Sequence, residues 1–151
     1  MLTESELEQS PLFRNISYDE YRRMLTCFQA VQKSFRPDDM IYDFTDPKND
    51  AVGIVERGEA VLIRIDESGV STVMEELGPG GVFGRTLAFA GASHDSLEVV
   101  CRTPCDVLFI DYSHILKRCE NACTHHSLLV QNMLGLMNDK AQALSRRVDV
   151  L

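Results

Sequence analysis

The sequence predicts a mainly β fold with helices at both ends: an antiparallel sandwich, roll or barrel, preceded by short helices and followed by a long one. Three observations predict it. From about Val31 to Ile110, short apolar segments recur at roughly 8–12-residue spacing between Gly, Pro and Asp turns. No helical period alternates with them, which excludes a doubly wound α/β sheet. From Ser113 a 3.6-residue period takes over and holds nearly to the end.

The elements follow in order. Thr3 caps a first helical turn, and Glu6, three residues on, completes a capping box. Ser10-Pro11 interrupts it. Ser17 and Glu20 repeat the signal for a second helix, whose apolar face is Tyr21, Met24, Leu25 and Phe28. Arg36–Asp39 is a turn, Met40–Phe44 a strand, and 46–50 a loop. Ala51–Val55 and Ala60–Ile65 read as strands flanking a hairpin, Glu56-Arg57-Gly58-Glu59. On the second of these, Val61, Ile63 and Ile65 face one way and Leu62, Arg64 and Asp66 the other. Glu67-Ser68-Gly69 closes the next hairpin, with Val73–Leu77 after it. Gly78-Pro79-Gly80-Gly81 is a turn, and Leu97–Arg102 and Val107–Ile110 are the last clear strands.

The final stretch has no Pro and one Gly, Gly135, between Ser127 and Leu151. Val130, Leu134, Met137, Ala141, Leu144, Val148 and Leu151 are spaced 4, 3, 4, 3, 4, 3, a heptad seam suited to a partner helix. Leu129, Met133, Leu136 and Ala143 form a second stripe beside it. One stripe is free to pack on the β-structure while the other pairs with a second copy. The plainer alternative is a single amphipathic helix folded back on its own core.

Bulk properties narrow the function. The chain has 151 residues, 44% of them apolar, an ordinary globular composition. No apolar run approaches the roughly 20 residues that span a bilayer. The N-terminus MLTESELEQS lacks the apolar segment of a signal peptide, so a cytoplasmic location is expected. The net charge of -8 is the wrong sign for binding a phosphate backbone, so this chain alone is not expected to bind DNA.

Several strings, in order, resemble the CRP/FNR transcription regulators. Ser10-Pro11-Leu12-Phe13 with Ile16-Ser17 is similar to the family's opening. Gly53–Ala60 resembles its first hairpin, Leu77–Gly84 its Gly-rich turn, and Cys105–Asp111 the strand before its exit helix. The resemblance covers the whole chain. It implies an antiparallel double-stranded β-helix, a jelly-roll like that of cyclic-nucleotide-binding domains, with N-terminal helices and a long C-terminal dimerisation helix. On this reading residues 1–126 form the sensor roll with its flanking helices, and 127–151 the dimerisation helix. In the family that helix leads into a winged helix-turn-helix, which is absent here, so DNA would be reached only through it. A heptad seam stopping without a cap points to an excised segment rather than a natural sensor-only protein.

In cyclic-nucleotide binders of this type a Glu after the Phe-Gly pair holds the ribose, and an Arg about ten residues later, before Ser or Thr, pairs with the cyclic phosphate. Here the Glu position holds Arg85 and the Arg position Asp95, followed by Ser96. An Asp facing a phosphate is repulsive, and no neutral residue replaces an Arg there. Arg85 and Asp95 suit an internal ion pair; Arg85 alone also suits an anion. Cyclic AMP is therefore not expected. The expected effector is another small molecule, an aromatic or organic acid, held by Gly84, Arg85, Thr86, Leu87, Asp95 and Ser96, with Met133 and Met137 from the terminal helix. Ordinary core or seam packing is the competing reading of those Met residues.

No metal or cofactor is expected. Cys119, Cys123 and His126 share a helical face but lack a fourth ligand. The N-terminal cysteine cluster of iron–sulfur sensors is missing, as is a Cys-X-X-Cys-His haem motif. Cys101 and Cys105 flank Arg102-Thr103-Pro104; Cys101 shares a face with Leu97 and Val99, so core packing explains it simply, with a regulatory disulfide as the alternative. No catalytic constellation is visible, so no enzymatic activity is expected. The leading reading is an effector-sensing, homodimeric module. A dimeric scaffold with a vestigial pocket and, more weakly, a cupin-like metal protein are the alternatives; the latter needs strand histidines, and the strands have none.

Overall fold

The computed structural model describes residues 1–46, 48–84, 96–116 and 126–149, the side chains of Leu116, His126, Ser127 and residues 140–149 excepted. The chain opens with α1 (Glu4–Gln9), a 3-10 turn (Pro11–Phe13) and α2 (Tyr18–Cys27). Both expected capping boxes form. Glu6 N–H donates to Thr3 Oγ1 at 3.3 Å and Glu20 N–H to Ser17 Oγ at 3.3 Å, each carboxylate returning to its cap's N–H. Tyr21, Met24, Leu25 and Phe28 are all buried, as their spacing requires.

Eight strands follow: β1 (Val31–Phe35), β2 (Met40–Asp43), β3 (Ala51–Arg57), β4 (Ala60–Ile65), β5 (Ser71–Leu77), β6 (Val82–Gly84), β7 (Ser96–Cys101) and β8 (Cys105–Asp111). They form two antiparallel four-stranded sheets, ordered β1-β8-β3-β6 and β2-β7-β4-β5. The expected mainly β roll is therefore present. The β4–β5 hairpin also forms as expected. Asp66 Oδ1 accepts from Ser68 Oγ at 2.7 Å and from Val70 N–H at 2.9 Å. These bonds, the Ser68 hydroxyl foremost, hold its carboxyl below the ordinary carboxylate value.

One expected hairpin is overturned. Glu56–Glu59 does not join paired strands: β3 pairs with β6 and β8, whereas β4 pairs with β5 and β7. The chain crosses here from one sheet to the other. β3 also runs two residues further than its apolar run, so Glu56 lies within the strand and is fully buried, paired with the Met1 ammonium.

Alternation along β3 and β8 divides the core in two. Val52, Ile54, Leu108 and Ile110 face the helices, packing with Leu12, Phe13, Tyr21, Met24, Ile115, Leu129 and Met133. Val55, Val107 and Cys105 face inward, against Tyr42, Ala60, Leu62, Leu77, Val99 and Cys101. The molecule thus stacks helices, first sheet and second sheet. After β8 come α3 (Tyr112–Leu116) and α4 (His126–Asp149). His114 Nδ1 lies 2.8 Å from the Phe28 carbonyl, tying α3 to the end of α2. Asn132 Nδ2 donates to the carbonyls of Leu12, at 3.0 Å, and Arg14, at 2.9 Å, fastening α4 to the 3-10 turn.

Candidate functional site

The expected site lies between the end of β6 and the start of β7. Gly84 closes β6 in the first sheet, opposite Val52, and Ser96 opens β7 in the second, opposite Ile65. The segment between them therefore has one anchor in each sheet. A Cβ on Gly84 would stand 3.1 Å from the Ala51 carbonyl oxygen and 3.4 Å from Val52 Cα, so a side chain here would press β6 away from β3 by a few tenths of an ångström. Arg85, Thr86, Leu87 and Asp95 lie outside the described residues.

The roll's interior leads toward these anchors. Its centre is a row of aromatic rings in near-perpendicular contact. Phe44 and Tyr42 have centroids 4.8 Å apart, Tyr42 and Phe83 5.5 Å, Phe83 and Phe109 6.1 Å, and Phe109 and Phe35 6.3 Å. Such edge-to-face pairs set the positive rim of one ring against the negative face of the next. The row runs from Phe35, at the end of β1, to half-buried Phe44, just past β2. Met74 and Leu97 pack against it, also half-buried.

A charge accompanies this apolar row. Arg64 pairs across the ladder with Leu97, and Leu62 with Val99, so Arg64 shares the inward face of β4. It is half-buried, two residues toward the Ser96 end from Leu62. The sequence reading placed Arg64 on the Leu62 face and gave it no role; that alternation was the available signal. The aromatic row was missed entirely, because Tyr42, Phe44 and Phe83 lie on segments whose pairing is not local.

The α4 residues sit elsewhere. Met133 is 2% exposed and belongs, with Leu129, to the core on the helix side of the first sheet. Met137, Val130 and Leu136 are partly buried against that same core. The structure thus places Met133 and Met137 in a different cluster from the aromatic interior. Leu134 is 57% exposed. Of the remaining seam residues, Ala141, Leu144 and Val148 lie within α4 with side chains outside the described residues, and Leu151 is also outside them. The same holds for Cys119, Cys123 and the His126 side chain. Among the described residues no group of three His, Cys, Asp or Glu side chains is placed to hold a metal ion. An open groove of about 820 Å³ lies apart from the roll interior, beside α2 and β1, with Arg22, Arg23, Thr26 and Gln32 in its wall. It opens widely to solvent and converges on no buried polar group.

A model of the cyclic nucleotide-binding domain matches residues 32–122, which spans β1 to the end of α3 and beyond. The chain belongs to the cyclic nucleotide-binding domain family. Solved structures of this fold agree. A cyclic nucleotide-binding domain from Methylobacillus flagellatus KT is 16% identical, covering 98% of this chain and 82% of its own, with a TM-score of 0.74. The Thermus thermophilus catabolite activator protein is 20% identical, with a TM-score of 0.73; the match covers 93% of this chain and 62% of that one. Oxidised CprK in complex with o-chlorophenolacetic acid is 10% identical, with a TM-score of 0.61, over 84% of this chain and 51% of its own. No curated protein sequence matches. As a cyclic nucleotide-binding domain, the chain is a ligand-sensing regulatory fold. Among the described residues no helix is long and apolar enough to cross a membrane.

Proposed function

We propose that this domain is the effector-sensing and dimerisation part of a CRP/FNR-type transcription regulator in the cytoplasm, and that its effector is an aromatic or organic acid rather than cyclic AMP. One observation carries the reading: an aromatic row with an inward-facing arginine leads to the Gly84 and Ser96 anchors, between which the sequence has Arg85 and Asp95 at the two nucleotide-reading positions. A flat apolar ring is complementary to Phe44 and Tyr42, and a carboxylate is complementary to the Arg64 guanidinium. Asp95 opposes a phosphate. The CprK complex with o-chlorophenolacetic acid shows this fold accepting an aryl acid in a relative.

The domain acts by binding, with no bond made or broken. The effector seats against the inner face of the first sheet, whose outer face carries Leu129 and Met133 of α4. A ligand that favours one packing of that sheet biases the position of α4, and through it a second copy and the DNA-binding domains.

A thermal-shift comparison of aryl carboxylates with cyclic AMP tests this. A ligand at about 100 times its Kd adds about 2.7 kcal/mol, a rise of roughly 5–11 °C for a chain of this size. The expected result is a saturable rise with an aryl acid, lost in Arg64→Leu, and none with cyclic AMP. Saturable stabilisation by cyclic AMP would refute the proposed ligand class. Silence toward every acid and nucleotide would favour a scaffold with a vestigial pocket.

A further inference from the structure

Away from the effector site, two thiols meet at the other end of the roll. Cys101 ends β7 and Cys105 begins β8, with the exposed turn Arg102-Thr103-Pro104 between them. Both side chains are buried. Both thiols donate to one acceptor, the Thr103 carbonyl oxygen, Cys105 at 3.2 Å, and Cys105 also reaches the Glu59 carbonyl at 3.3 Å.

Their position in the fold is particular. Four of the connections between the two sheets, β1–β2, β3–β4, β5–β6 and β7–β8, gather at this corner. Asp38 N–H donates to the Cys101 carbonyl at 2.7 Å, Arg102 N–H to the Glu59 carbonyl at 2.9 Å, Glu59 N–H to Thr103 Oγ1 at 2.8 Å, and Gly80 N–H to the Val55 carbonyl at 2.7 Å. Gly58 has φ +90°, and a Cβ there would lie 2.8 Å from Cys105 Sγ. Core packing alone accounts for either cysteine singly. It does not account for two thiols, four residues apart on strands of different sheets, converging on one carbonyl oxygen.

We propose that Cys101 and Cys105 are a reversible dithiol–disulfide couple, a modification site that takes a low-molecular-weight disulfide as its oxidant and locks the corner where the sheets are joined. The Cys101 thiolate attacks one sulfur of the oxidant RSSR, forming a mixed disulfide and releasing one RS⁻. Cys105 then attacks the Cys101 sulfur and releases the second. The two cysteine protons leave on the two thiols, so Cys101-SH, Cys105-SH and RSSR give one internal disulfide and two RSH. The protein is oxidised by two electrons and the oxidant reduced by two. Burial, reinforced by the neighbouring Cys101 thiol, pushes the Cys105 thiol up to about 12, which makes exchange slow and suits a lock rather than a fast sensor.

The test uses the full chain, equilibrated over a series of reduced-to-oxidised glutathione ratios, alkylated and cut with trypsin. Cleavage after Arg102 places the two cysteines in separate peptides, Thr86–Arg102 and Thr103–Lys117. The expected product is the linked pair, two hydrogens lighter than its parts, growing with the oxidised fraction, reversed by dithiothreitol, and absent in Cys101→Ala. Both peptides alkylated at the most oxidising ratio would overturn the proposal. So would either cysteine linked instead to Cys27, Cys119 or Cys123. The wild-type peptide map decides the matter even if the variant fails to fold.

Discussion

Gly53 and Phe83 offer a direct test of the interior as described. Gly53 lies on β3 opposite Phe83 on β6, and a Cβ at Gly53 would fall 2.1 Å from the ring's Cζ and 2.4 Å from Cε2. The ring has little freedom to move, because Tyr42 and Phe109 hold it on either side. Gly53→Ala therefore overpacks the roll and is expected to cost about 1–3 kcal/mol, a fall in Tm of roughly 2–12 °C. Phe83→Ala leaves a cavity and is expected to cost about 3–5 kcal/mol. Were the two independent, the double variant would lose the sum. With the ring gone, the new methyl has room, so the double variant should be no less stable than Phe83→Ala alone. The resulting coupling is about 1–3 kcal/mol. Urea unfolding of the four proteins, with unchanged m-values, measures it. Additive losses, or a Gly53→Ala protein within about 0.5 kcal/mol of wild type, would refute the assignment of that space to the Phe83 ring.

Three further outcomes are expected. Asn132→Ala removes both bonds from α4 to the Leu12 and Arg14 carbonyls and should cost about 1–2 kcal/mol, with faster amide exchange in α4 than in the sheets. Burial first, with Glu56 adding to it, raises the Tyr21 hydroxyl to about 12 against an ordinary 10. Its neutral form is thus favoured in the fold, so stability is complete below pH 10 and falls as pH rises toward 12, by about 2–3 kcal/mol; denaturant melts at pH 9 and 11 should show a smaller fall in Tyr21→Phe. Leu134 is exposed on the proposed seam, so Leu134→Lys should shift the light-scattering mass from dimer to monomer while leaving the monomer's circular dichroism unchanged.

The parts of the fold governed by near neighbours were legible in the sequence. Thr3 with Glu6 and Ser17 with Glu20 interact within one turn, so their spacing alone identifies the two helix starts. The same is true of the Asp66–Val70 turn, where one carboxylate gathers donors two and four residues ahead. Strand partnership was not legible. A glycine at positive φ turns the chain at Gly58 whether the next strand stays in the sheet or leaves it. The choice is made by β8 and β7, about forty to fifty residues further along, which claim β3 and β4 separately. Glu56 follows the apolar run that ends at Val55, so local pattern assigns it to the turn, yet β3 carries it under the N-terminus. The candidate site divided in the same way. Gly84 and Ser96 were named through the family resemblance, whereas Arg64 and the Phe44–Phe35 ring series emerge only once the two sheets are brought together.

Of the six connections between strands of different sheets, four, β1–β2, β3–β4, β5–β6 and β7–β8, lie at one pole. At the opposite pole residues 44–50 cross from β2 to β3, while residues 66–70 only cap a hairpin within the second sheet. Insertions or exchanges at that pole can retune what the molecule recognises while the topology stays fixed. One scaffold can thereby be inherited by sensors of chemically unrelated signals.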